Sequence, residues 1–104
     1  MAKQMYLEFP VKTEHAEDFS DLCNSSFGFA LTKKQPGFIS AEWMISTSEN
    51  GKKCFHLWER WESKAHFAAY MQTPERMVGS KFERFLQKWS DGDTKVFWGN
   101  VNFV

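Results

Sequence analysis

The chain has 104 residues, with thirteen basic side chains against thirteen acidic ones and a net charge of zero, and it is 42% hydrophobic and 17% aromatic. One domain is expected at this length; balanced charge without a run of Lys or Arg lacks the electrostatic footprint of a binder of duplex DNA or anionic membrane. No apolar run reaches the length of a membrane span and residues 1–5 have no leader-like apolar stretch, so a cytoplasmic protein is expected.

Met5-Tyr6-Leu7-Glu8-Phe9 alternates in character before Pro10-Val11 and predicts a strand that ends at the proline. Thr13 then offers a helix cap. Ala16, Phe19, Leu22, Cys23, Phe27 and Ala30 recur at helical spacing, so one amphipathic helix is expected from Glu14 to the stop at Gln35-Pro36-Gly37. Residues 38–46 and 54–61 both alternate with period two around a turn at 48–52, a hairpin in which an Asn50-Gly51-Lys52 loop would set Glu42 opposite Arg60 and Met44 opposite Trp58. Ser63 caps a second helix carrying Phe67, Tyr70 and Met71; Thr73-Pro74 is expected to restart it, with Val78, Phe82, Phe85, Leu86 and Trp89 on one stripe. Residues 96–104 alternate again as a last strand. The order β-α-β-β-α-β predicts an α+β ferredoxin-like sandwich, a four-stranded antiparallel sheet with helices on one face.

Two features point to a second buried face. Eleven Phe, five Trp and two Tyr, at about 200 Å² each, bring roughly 3,600 Å² to bury, in a monomer expected to expose roughly 6,000 Å². The strands also carry bulky apolar groups on both sides, so a homodimer packed sheet to sheet is expected, together with an apolar ligand pocket. Cys23 and Cys54 form no CxxC pair, which argues against a disulfide framework or a zinc site; both read as small buried hydrophobes, and no metal is expected. An RNA-recognition module shares the strand order, but residues 54–61 lack the glycines of its aromatic motif and the chain has no surplus positive charge.

Phe55-His56-Leu57-Trp58-Glu59-Arg60-Trp61-Glu62-Ser63-Lys64, with Pro36-Gly37-Phe38 before it and Thr73-Pro74 after it, resembles the antibiotic biosynthesis monooxygenase (ABM) family. That resemblance implies a dimeric α+β barrel and a relationship to cofactor-free monooxygenases that oxidise phenols or quinols with O₂. The chain departs from the family pattern at two customary histidines, where it has Tyr70 and Glu75. It matches the haem-degrading branch less well, with Glu8 or Phe9, Tyr70 and Ser80 at the places of that branch's Asn, Trp and His.

Oxygenation without a cofactor needs a substrate that can itself reduce O₂ and a protein that deprotonates it, shields it and stabilises the charge that develops. No cofactor is called for. The candidates for base or hydrogen-bond partner are His56, Glu59, His66 and Tyr70; those for pocket walls are Trp43, Trp58, Phe27 and Phe67. Each has a structural alternative: His56 as a satisfied strand histidine, His66 as a half-exposed residue of a first helical turn, Glu59 as a buried acid bonded to its neighbours, and the aromatics as core. Tyr70 occupies a customary histidine position on the sheet-facing side of the second helix, and Tyr70→Phe is expected to weaken ligand binding or turnover with the melting temperature nearly unchanged. The expected ligand is a polycyclic phenol, a quinol or a long-chain acyl compound. The rival expectation is a non-catalytic ligand-binding or stress-related dimer of the same fold.

Overall fold

In the computed structural model, which describes residues 2–104, the chain runs through β1 (Lys3–Val11), one 3-10 turn (Thr13–His15), α1 (Ala16–Asn24), α2 (Phe29–Thr32), β2 (Phe38–Thr47), β3 (Lys53–Trp61), α3 (Lys64–Met71), α4 (Lys81–Trp89) and β4 (Lys95–Asn100). The strands form one antiparallel sheet in the order β2-β3-β1-β4, the ferredoxin-like arrangement. Alternation assigns the two faces. Met5, Phe9 and Val11 of β1 and Phe55, Leu57, Glu59 and Trp61 of β3 are buried beneath the helices, and Phe19, Cys23 and Trp89 close over them from α1 and α4. Among the described residues no helix is long and apolar enough to cross a membrane.

Among the described residues, no helix lies over the opposite face of the sheet. Phe97, Tyr6, Trp58 and Glu42 lie side by side across the four strands, with Tyr6 stacked on Trp58 at 5.2 Å and on Phe97 at 5.9 Å between ring centroids. Phe97 is 54% exposed and Met44 49%. The protomer presents 6726 Å² of surface, about a tenth above what mass scaling gives for a monomer of this size.

Five local expectations need correction. First, β1 does not end at Pro10 but pairs it with Cys54 and continues to Val11. The Pro10 carbonyl accepts from the Asp91 amide at 2.9 Å, so its backbone faces away from β3, beyond the point where β4 stops pairing at Glu8 and Lys95. The missing N–H therefore costs no ladder bond. Second, the hairpin loop is longer than Asn50-Gly51-Lys52: the Ser48 amide donates to the Lys52 carbonyl at 2.8 Å, and Glu42 faces Trp58 while Met44 faces His56. A shift of two residues preserves the faces.

Third, the first helix breaks. Thr13 does not cap it, and at Ser25, with φ −81° and ψ 169°, the backbone leaves the helix. The Ser25 hydroxyl donates to the Leu22 carbonyl at 2.7 Å and accepts from the Phe27 amide at 3.2 Å, the local competition by which serine ends helices. Gly28 then passes so close to the end of α1 that a β-carbon would lie 2.2 Å from the Leu22 carbonyl oxygen. Fourth, Thr73-Pro74 starts only a turn. α4 begins after its cap Ser80, whose hydroxyl accepts from the Glu83 amide at 3.1 Å, and Val78 lies 84% exposed, off the expected stripe. Fifth, β4 ends at Asn100, not at the last residue.

Candidate functional site

Between the helices and the sheet lies a cavity of about 160 Å³. Its walls are apolar, with Leu7, Phe9 and Leu57 from the sheet and Phe29, Phe67, Met71, Phe82 and Leu86 from the helical side. Four buried polar side chains, Thr32, Glu59, Tyr70 and Arg76, line it together with the exposed Thr94. None of the four is more than 6% exposed.

Each is placed by a local feature of the chain. Glu59 occupies an inward position of β3, and its carboxylate accepts from the Trp61 indole N–H at 2.9 Å. Burial pushes its pKa up to about 7, against the opposing pull of that hydrogen bond and of the Arg76 charge. Tyr70 ends the inward stripe of α3, the helix that Ser63 caps by accepting from the His66 amide. The Tyr70 hydroxyl shares a hydrogen bond with Thr32 Oγ1 at 2.7 Å and accepts from Arg76 Nε at 2.6 Å. Burial raises its pKa further, although Thr32 and Arg76 both favour the phenolate.

Arg76 depends on the two breaks in the helices. The turn after Thr73 carries it inward, where Nη2 donates to the carbonyl of Phe27 at 2.7 Å, in the interruption after α1, and to that of Gly28 at 3.2 Å, which also accepts from the Leu31 and Thr32 amides at the start of α2. Its guanidinium lies 4.1 Å from the ring centre of Phe82 and 5.2 Å from that of Phe27. Arg76 and Thr32 were not among the expected site residues. Nothing in Pro74-Glu75-Arg76-Met77-Val78 distinguishes a buried arginine from the solvated one that this residue type usually is.

Of the expected residues, the structure brings Glu59, Tyr70 and Phe67 to the cavity. Phe27 reaches it only through its ring and carbonyl on Arg76. Trp43 lies behind the wall, stacked on Phe29 at 6.3 Å. His56 and Trp58 are on the other side of the sheet. Both ring nitrogens of His56 are occupied there, Nδ1 with the Tyr6 hydroxyl and Nε2 with Ser46 Oγ, each at 2.8 Å, and Trp58 stacks on Tyr6. Parity explains the misplacement: His56 and Trp58 alternate with Phe55, Leu57 and Glu59, so one strand cannot present both sets to one cavity. His66 is held at the start of α3 by Ser63 Oγ at 2.8 Å. Its ring fills the space beside Gly37, whose φ is +84°.

The cysteines also divide. Cys23 is buried among the core residues and its thiol pKa is pushed up to about 12 by burial, as expected of a small hydrophobe. Cys54 is only half-buried and sits on the outer face, where its sulfur and single ligand atoms of Glu8 and His56 lie within 4.8 Å of one another. A metal there would have to displace Tyr6 or Ser46 from the imidazole.

The comparisons agree with this architecture. The model of the family described as antibiotic biosynthesis monooxygenase matches residues 5–77. A conserved protein from Methanosarcina mazei Go1 is similar in structure, with a TM-score of 0.75 at 17% identity over 98% of this chain and 94% of that one. A monooxygenase from the gene ActVA-Orf6 of Streptomyces coelicolor, solved in complex with Nanaomycin D, superposes with a TM-score of 0.72 at 17% identity, covering 99% of this chain and 89% of its own. SnoaB, a cofactor-independent oxygenase from Streptomyces nogalater, does so with a TM-score of 0.71 at 14% identity over 99% and 95%. At such identities the likeness is one of fold. No curated protein matches the chain.

Proposed function

The chain belongs to the antibiotic biosynthesis monooxygenase family, and from that premise we propose that it is a cofactor-independent oxygenase of a small phenol or quinol, acting as a cytoplasmic homodimer. The observation that carries this reading is the convergence of the buried Glu59, Tyr70, Thr32 and Arg76 on a largely apolar cavity. Glu59, with its pKa raised to about 7 by burial, is suited to take a proton from a phenolic hydroxyl near neutral pH. The Arg76 guanidinium lowers the energy of the phenolate so formed, which is the species able to pass an electron to O₂. The apolar walls keep water from the reactive intermediate.

Volume narrows the ligand. A cavity of about 160 Å³ is close to the engineered 150 Å³ cavity that takes up benzene, so it accommodates one ring. A polycyclic or long-chain compound requires Phe67, Met71 or Phe82 to move. The proposal of a sheet-to-sheet dimer is supported by the row Phe97, Tyr6 and Trp58 on the uncovered face, and a cytoplasmic place is supported by two free thiols.

The rival reading, a non-catalytic ligand-binding or stress-related dimer, is favoured by one observation: the Tyr70 hydroxyl is already engaged by Thr32 and Arg76. Oxygen uptake with a panel of single-ring hydroquinones separates the two. Uptake that is lost in Glu59→Gln supports the oxygenase; a ligand that copurifies in native mass spectrometry but consumes no oxygen supports the binder.

A further inference from the structure

Arg76 is 4% exposed, yet its partners are all uncharged. Nε donates to the Tyr70 hydroxyl, Nη1 to the Glu75 carbonyl at 3.4 Å, and Nη2 to the carbonyls of Phe27 and Gly28. That engages four of the five N–H groups of a guanidinium; the remaining one belongs to Nη1. Among the described residues, the ion pairs within 4.0 Å are His15 with Asp18 and His66 with Glu62, neither of which involves Arg76. Aromatic rings of Phe27, Tyr70 and Phe82 surround the cation, and rings replace only part of the hydration that a guanidinium loses on burial. A buried charge with no ion-pair partner in contact is costly; the acid that shares the cavity with Arg76, Glu59, is not within ion-pair distance and is pushed toward its neutral form by burial.

We propose that the ligand of this cavity binds as an organic monoanion, with its oxyanion seated on the free Nη1 side of Arg76 and its ring against the apolar walls. The inference rests on the cavity being the ligand site, as proposed above, and it adds the charge state of the ligand: a carboxylate or an ionised acidic phenol in preference to a neutral alcohol or hydrocarbon. The ligand then supplies the contact ion pair that Glu59 does not make. The titratable groups facing the same space are Glu59 from β3, Tyr70 from α3 and Cys23 from α1. Tyr70 and Cys23 are both held in their neutral forms by burial, so Glu59 is the one group whose charge would oppose an anion.

The probe is 4-nitrophenol, whose ionised form alone absorbs strongly in the visible. The full-length protein is titrated with the dye across pH, and the NMR signal of the Trp61 indole N–H, which lies on Glu59 at the cavity, reports whether the dye has entered. The expected result is that bound dye ionises at a pH lower than free dye by about one unit or more, as an opposite charge at contact produces, and that Arg76→Met removes this displacement. Should that variant fail to fold, the wild-type titration alone decides. Bound dye that ionises at the same or a higher pH than free dye overturns the inference while leaving the cavity as a ligand site. No binding, with the Trp61 signal unmoved, overturns the ligand cavity and this inference with it. Competition by benzoate distinguishes the two sources of the oxyanion: displacement of the dye extends the site to carboxylates, and failure to displace it confines the site to ionised phenols, either result supporting an anion on Arg76.

Discussion

Replacing Glu59 by glutamine tests how this carboxyl is held, because its burial makes stability depend on pH with a sign opposite to that of most surface acids. Burial raises the Glu59 pKa from 4.5 to about 7 in the folded protein. Below about pH 4.5 both folded and unfolded states carry the proton. Between there and about pH 7 the folded state keeps it while the unfolded state has lost it, so stability falls as pH rises. Above about pH 7 both are ionised and the loss is complete. A shift from 4.5 to about 7 at 1.36 kcal/mol per pH unit amounts to about 3 kcal/mol, of which roughly three quarters falls between about pH 5 and about pH 8. Glutamine keeps an oxygen to accept from Trp61 and does not titrate. Urea unfolding of the two proteins near pH 5 and near pH 8 measures the effect: the stability difference between them should change by about 2 kcal/mol in favour of Glu59→Gln at the higher pH. The difference of differences is the readout, since any hydrogen-bonding cost of the amide enters equally at both pH values. An unchanged difference would refute a Glu59 held neutral by burial, and with it the choice of this residue as the base.

Tyr70→Phe strips a partner from both Thr32 and Arg76, so it should cost about 1–3 kcal/mol of stability. This replaces the expectation of an unchanged melting temperature, and a melting curve superimposable on wild type would show that the three groups do not depend on one another. Gly28→Ala places a methyl group 2.2 Å from the Leu22 carbonyl oxygen; since Gly28 cannot yield without disturbing the Arg76 bond to its carbonyl, it should cost about 2 kcal/mol or more, and a denaturant midpoint equal to wild type would count against the close approach. Trp58→Asp, on the uncovered face, should give a monomer in sedimentation velocity with the far-ultraviolet circular dichroism of wild type; a dimer that persists would place the interface elsewhere.

The site was only partly legible in the sequence. Period-two alternation set Glu59 in one row with Phe55 and Leu57, and the helical stripe through Phe67 marked Tyr70; both line the cavity. His56 drew attention because its residue type is chemically versatile, while its parity put it on the other face with Trp58, bonded to Tyr6 and Ser46. Residue type weighs little where geometry is set by the pleat. Arg76 was missed for the converse reason: its burial follows from the chain breaks after α1 and α3, and the carbonyls that receive it lie far away along the chain, at Phe27 and Gly28.

By itself the sequence determined the order of the elements, the alternation along each strand and the ferredoxin-like sandwich, because hydrophobic periodicity and turn residues act over a few neighbours and are written along the chain. The tertiary structure decided the hairpin register, the passage of β1 through Pro10 and the gathering of Thr32, Glu59, Tyr70 and Arg76 around one cavity. Register depends on how a five-residue loop closes, and a strand tolerates proline only where a neighbouring strand has stopped. A buried cation exists only where distant carbonyls converge to receive it. Each of these is a contact between segments far apart in the chain, whose energy no local pattern contains.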